Sequence, residues 1–192
     1  MSSIWDHIKK WEKVPIKEVC IINPSKKELN GIAPSSLVSF GMMDELPVKK
    51  PLFIPDSLKT YSEVQKGGFS YFKEGDVLLA KMTPCFENGK SGIATNLKNS
   101  IGFGSTEFYV LRPKGKVVSY WLYSIISSDF FLDQGKYSLV GTTGRRRLMK
   151  QFVENFKIPL PTLEEQQQIA ALFQALDRAI EDIEAQEQNL QQ

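Results

Sequence analysis

The sequence predicts an α+β fold: a globular domain built on a mixed or antiparallel sheet with short helices, followed by a long C-terminal coiled-coil helix. Three observations carry this expectation. Short apolar or alternating runs, punctuated by glycine and proline, fill Pro15 to Pro113. Helical periodicity replaces them after Val117. From Thr162 onward a heptad stripe of apolar residues takes over, so the domain boundaries fall at residues 1–161 and 162–192.

The strands come first. "LVSFGMM" (Leu37 to Met43), "DVLLAKM" (Asp76 to Met82), "SGIATNL" (Ser91 to Leu97) and "EFYVLRP" (Glu107 to Pro113) are runs of strand length. Gly75, Pro84, Gly89, Gly92, Gly102 and Gly104 separate them as turn residues do. Between Val117 and Asp133 the residues Val118, Leu122, Ile125, Ile126 and Phe130 fall on one helical face, closed by Gly135. A second, shorter helix is expected from Arg145 to Asn155, carrying Leu148, Phe152 and Val153 inward. "FKIPLP" reads as an extended exit, because the residue before a proline is pushed away from helix.

Thr162 followed by Glu165 forms a capping box, in which hydroxyl and carboxylate satisfy free amides of the first turn. Beyond it Ile169, Leu176, Ile183 and Leu190 recur every seven residues, with Leu172 and Ala179 between them and Phe173 and Ile180 widening the stripe. A helix from Thr162 to Leu190 is about 40 Å long. That is too long and too narrowly apolar to be buried in its own small domain, so a partner helix is expected.

Composition bounds the function. With 192 residues, 42% hydrophobic and 24% charged, the chain is an ordinary globular protein long enough to bury a core. A net charge of +2 gives no global argument for nucleic acid, so any basic surface must be local. The charge is in fact segregated: Lys136 to Lys157 is strongly basic, whereas Arg178 is the only base from Glu164 to Gln192. Cys20, Cys85 and the single histidine, His7, do not make a zinc site, and a reduced, cytoplasmic protein is the simplest fit. No run approaches the length of a membrane span, and "MSSIWDHIKKWEKV" lacks the apolar region of a signal peptide.

Two loops hold candidate binding residues. In "GTTGRRRLMK", Gly141 and Gly144 allow close backbone approach, Thr142 and Thr143 offer small donors and acceptors, and Arg145 to Arg147 bring charge to an expected helix start. Cations there oppose the helix dipole unless an anion compensates, and DNA phosphate is such an anion. In "AKMTPCFENGKSG" (Ala80 to Gly92), Lys81 and Lys90 flank a turn. No nucleophile, base and orienter arrangement is visible, and no phosphate loop opens a helix. "NPSK" at Asn23 to Lys26 only superficially matches the Asn-Pro-Pro-aromatic signature of adenine methyltransferases, since its third and fourth residues differ. No enzymatic activity is expected.

The segments "WEKVPIKEVCIINPSK", "FKEGDVLLAKMTPCFENGK", "GTTGRRRL" and "KIPLPTLEEQQQIAALFQALD", in this order, resemble the target recognition domain and following helix of a type I restriction-modification specificity subunit. The resemblance runs from about Trp11 to the end, and "GDVLLAKMTPCFENGK" and "IPLPTLEEQQQIA" are its specific parts. It implies a DNA-reading subunit with no catalysis of its own and no cofactor. S-adenosylmethionine is expected on the adenine methyltransferase subunits that such a subunit docks, and restriction subunits join through them. Phosphate contacts are then assigned to Lys81, Lys90, Arg145, Arg146 and Lys150, and base contacts to Thr83, Thr142, Thr143 and Arg147.

A usual family member carries two recognition domains, each reading half of an interrupted site, with antiparallel helices as a ruler between them. One domain and one helix are present here, so the chain is expected to be a half subunit or an excerpt of a longer one. As a half subunit it would form a homodimer through Ile169, Leu172, Leu176, Ile180, Ile183 and Leu190. A rod of about 40 Å matches the roughly 34 Å between successive major grooves. The alternative is a protein-interaction module that modulates a methyltransferase or a complete specificity subunit without binding DNA by itself.

Overall fold

The computed structural model describes residues 11–142 and 144–190, apart from the side chains of 181, 184, 185 and 188–190. Thr143 and the side chain of Leu190, both singled out by the sequence, lie outside the described residues.

The expected strands form, somewhat shorter than their apolar runs. A five-stranded sheet has the order β2 (Cys20–Ile22), β10 (Phe108–Pro113), β7 (Val77–Ala80), β8 (Ser91–Ala94) and β4 (Leu52–Phe53). All its pairs are antiparallel except β4 with β8. A four-stranded sheet follows the order β5 (Ser57–Thr60), β3 (Leu37–Gly41), β9 (Ile101–Gly104) and β6 (Ser70–Lys73), with β3 and β9 parallel. The sheets are thus mixed, as the sequence suggested. Residues of β7 face two ways from one strand: Val77 and Leu79 enter one apolar cluster, Leu78 and Ala80 another. That two-sided burial explains why "VLLA" is apolar throughout rather than alternating.

The largest cluster lies between the five-stranded sheet and the helices after it. Short α1 (Ile16–Val19) buries Ile16 and Val19 there, while α2 (Tyr61–Val64) sits beside the other sheet, capped reciprocally by Thr60 and Glu63. The single helix expected over Val117 to Asp133 is two: α3 (Ser119–Ile126) and α4 (Asp129–Lys136). The Ser128 hydroxyl accepts from the Phe131 amide and restarts the helix. The new phase buries Phe131 and leaves Phe130 68% exposed, contrary to its expected inward place. Gly135 does not close a helix either; it lies within α4, where a Cβ would collide with the Phe86 ring.

The helix expected from Arg145 begins only at Lys150, as α5 (Lys150–Asn155). Before it, β11 (Leu139–Val140) and β12 (Arg147–Leu148) pair antiparallel as a small ribbon. Leu148 and Val153 are buried as expected, and Phe152 packs against Phe131 and Phe156.

"FKIPLP" becomes β13 (Lys157–Leu160), paired antiparallel with β1 (Glu12–Pro15). The first and last strands of the globular part are therefore neighbours. From this edge the long helix α6 (Leu163–Leu190) departs. Its capping box forms: the Thr162 amide donates to Glu165 at 2.8 Å, and the Glu165 amide to the Thr162 hydroxyl at 3.3 Å. Gln166 is fully buried, accepting from the Val118 amide and donating to the carbonyls of Lys116 and Pro161. Ile169 and Ala170 join the core beside it, and the Tyr120 hydroxyl donates to Asp177. Beyond these contacts Leu172, Leu176, Ile180 and Ile183 are all at least half exposed. Among the described residues no helix is long and apolar enough to cross a membrane.

Candidate nucleic-acid interface

The basic segment is built as a β-ribbon rather than a helix start, which removes the dipole argument for an anion and replaces it with a different geometry. Val140 lies opposite Arg147, and the intervening loop turns on Gly141 (φ 124) and Gly144 (φ 80), values that side chains disfavour. The Arg145 amide closes the turn on the Thr142 carbonyl at 3.0 Å. Thr142 itself is exposed.

Three groups fix the ribbon to the sheet. Thr83 and Arg146 exchange bonds, the Thr83 amide donating to the Arg146 carbonyl at 2.9 Å and the Arg146 amide to the Thr83 hydroxyl at 3.0 Å. The Leu148 amide donates to the Lys81 carbonyl at 2.7 Å, and the buried Tyr109 hydroxyl donates to the Leu148 carbonyl at 2.7 Å. The strand β12 thus prolongs the edge of "AKMT", so the two loops singled out by sequence meet.

The three arginines differ. The Arg147 guanidinium grips Glu107 with two bonds, Nε to Oε2 at 3.0 Å and Nη2 to Oε1 at 2.7 Å. Hydrogen bonding from Arg147, with the charges of Lys81 and Arg147, outweighs burial and holds the Glu107 carboxyl below its usual range. Arg146 pairs with Glu87 at 3.0 Å. Arg145 is exposed and makes no side-chain hydrogen bond or ion pair among the described residues.

Lys81 is half-buried, its ammonium 5.4 Å from the Tyr109 ring centre, and burial lowers its pKa against the opposing pull of Glu107. Lys150 pairs with Glu154 one turn along α5 at 2.9 Å. Two expected contacts are committed elsewhere. Lys90 donates to the backbone carbonyls of Met43 and Asp44 at 2.8 and 3.0 Å, tying down a neighbouring loop. Thr83 is buried, its hydroxyl already occupied by the ribbon. The sequence reading missed Glu87, Glu107 and Tyr109, which set the arginines in place; the signal lay in the carboxylates inside "CFENGK" and "TEFYVLRP". Burial pushes the Cys20 thiol up to about 12, so it is a core residue rather than a reactive one.

The site thus sits on an α+β core with two mixed sheets, a ribbon at one side and a long helix leaving its edge. The chain belongs to the type I restriction modification DNA specificity domain family, whose profile matches residues 8–192. It is 33% identical over 177 residues to the type I restriction enzyme EcoAI specificity subunit of Escherichia coli, covering 92% of this chain and 29% of that protein. The EcoEI specificity subunit of the same organism is 32% identical over the same share of each. Among solved structures, the HsdS subunit from Thermoanaerobacter tengcongensis superposes with a TM-score of 0.69 at 23% identity, over 90% of this chain and 43% of that one. The chain therefore spans less than a third of the two curated relatives. Its family is one of DNA-specificity domains rather than of enzymes.

Proposed function

We propose that this chain is the non-catalytic, sequence-reading part of a type I restriction-modification system and that residues 1–161 read one half of a bipartite DNA site. The observation that carries this is the ribbon, a two-stranded element of the kind that a major groove admits, beside whose turn stands Arg145, with no side-chain hydrogen bond or ion pair among the described residues. In this reading Arg145 and the free edge of Arg147 meet base edges together with Thr142 and Thr143, while Lys81, Arg146 and Lys150 meet phosphates. Thr83 and Lys90 act as supports. Substituting Arg145→Ala should weaken salt-sensitive binding to duplex DNA about tenfold, a single good base contact, with the fold intact. Unchanged binding in both Arg145→Ala and Arg147→Ala would overturn the reading.

Residues 162–192 serve in this proposal as spacer and docking helix. Adenine methyltransferase subunits, carrying S-adenosylmethionine, and restriction subunits assemble on it in the cytoplasm. The exposed stripe of Leu172, Leu176, Ile180 and Ile183 is the face offered to a second helix, in a homodimer or in another specificity half. Ile169, packed on its own core, contributes only at the margin. Sedimentation over a concentration series, with and without Leu176→Glu, tests this: a dimer abolished by the substitution supports self-pairing, and a monomer throughout places the partner on another chain. The same stripe favours a second reading, a half subunit that acts through protein contacts alone. Duplex binding that is absent at low salt while the helix captures a methyltransferase would select it.

A further inference from the structure

The Asn23–Lys26 turn, a near miss for a methyltransferase signature, has a different use in the structure. Asn23 adopts φ 56; its amide donates to the Val110 carbonyl at 2.7 Å and its side-chain oxygen accepts from the Val110 amide at 3.0 Å. The side chain is thus a structural piece of the sheet edge. So pinned, the turn lines a cleft of about 430 Å3 together with the Gly67–Gly68 loop, Lys81 and Thr106. Lys26 donates to the Gly67 carbonyl at 2.7 Å and holds the two segments in register.

Three properties point to an anionic ligand. Lys26 and Lys81 line the cleft, and no acidic side chain does. Lys81 is half-buried and makes no side-chain hydrogen bond or ion pair among the described residues; the longer-range pull of Glu107 and the Tyr109 ring offset its burial only in part, and an anion in the cleft would offset the rest. Gly68 is exposed and has an ordinary φ, and an added Cβ would meet only the Thr106 methyl at 3.7 Å. Neither conformation nor internal packing asks for glycine there, so its lack of a side chain leaves the cleft open to approach.

Position selects among anions. Lys81 and Thr106, which line the cleft, adjoin Glu107, the residue that holds Arg147 at the root of the ribbon. We infer that this cleft seats a phosphodiester of the DNA strand running past the ribbon, with Lys81 as its principal charge and the Thr106 hydroxyl and Gly67–Gly68 loop beside it. The inference rests on the DNA-reading function proposed above and extends it to a second contact region, drawn from four separate segments of the chain.

The test measures binding of the chain to a mixed-sequence duplex of about three helical turns across a salt series. Lys81→Gln and Gly68→Glu are compared with Arg145→Ala, and circular dichroism and melting verify each fold. Lys81→Gln should weaken binding about tenfold at low salt. It should also flatten the salt dependence by about one unit of slope. Gly68→Glu, which places a carboxylate in the cleft, should weaken binding at least as much. If Arg145→Ala weakens binding and both cleft variants bind like the unaltered chain, the cleft inference is overturned while the DNA reading stands. If the cleft variants weaken binding and Arg145→Ala does not, the cleft is upheld, and the ribbon reading falls only if Arg147→Ala is equally without effect. No binding by the unaltered chain at low salt overturns both.

Discussion

Two charged clusters in this chain, one around a single arginine and one around three, are built on opposite plans. Arg112 on β10 is largely buried, gripping the fully buried Asp76 through Nε at 2.8 Å and Nη2 at 2.7 Å, and it reaches Glu28, which also accepts from the Tyr71 hydroxyl at 2.9 Å. The ribbon arginines sit at the surface, two paired with carboxylates that solvent reaches and one without a side-chain partner among the described residues. The first cluster spends its charge inside the fold, where a low dielectric makes each lost partner expensive. The second keeps its charge where a ligand can compete for it. Acids lie close in both places; what separates a brace from a contact surface is burial, of Arg112 and Asp76 together in the first against the solvent-facing guanidinium groups of the second.

The sharpest way to break this contrast is Asp76→Ala. It leaves the largely buried Arg112 with Glu28 alone and takes from the Lys73 amide the carboxylate that accepts from it, so unfolding in denaturant should show a loss of about 3 kcal/mol. Glu107→Ala removes an equally bidentate partner but from a half-exposed surface pair, and should cost no more than about 1 kcal/mol in the same assay. A loss as large as for Asp76 would erase the distinction between the clusters. Glu107→Gln should also steepen the salt dependence of duplex binding by releasing the charge of Arg147, a change read from the slope rather than the midpoint. Arg145→Ala should shift stability by less than about 0.5 kcal/mol, since its exposed side chain makes no hydrogen bond or ion pair among the described residues.

The smallest effect is with pH. The Glu107 carboxyl lies lower in the folded than in the unfolded chain, so its pairing stabilises the fold above the unfolded value and fades as pH falls through the folded one. A melting series from neutral to acid pH should therefore show a slightly shallower fall for Glu107→Gln than for the unaltered chain. A steeper fall in the variant contradicts that sign.

Much of the framework was legible in sequence. β3, β7, β8 and β10 lie within their predicted runs, and the Thr162 and Glu165 cap starts α6 at the expected residue. What failed was decided at long range. "RRRLMK" carries good helix formers, but Arg146 and Leu148 find backbone partners on Thr83 and Lys81, more than sixty residues away, and strand pairing wins. Lys90 looks like a free surface cation until a loop from Met43 to Asp44 offers it two carbonyls. The break between α3 and α4 was different: "SSD" is a local capping signal that the continuing apolar period concealed. At the interface, sequence marked the cations and overlooked the carboxylates, because an acid shows its role only once folding sets it beside its base.

The pairing of β1 with β13 closes the globular part on itself, with chain entry and exit on adjacent strands. Exchange of such a unit asks that the two strands at the gate still match and that the groups gripping the first turns of α6, the Val118 amide and the Lys116 carbonyl on Gln166, stay in place. The remote loops, which touch neither the gate nor the root of the helix, are the parts that such a plan leaves free to change.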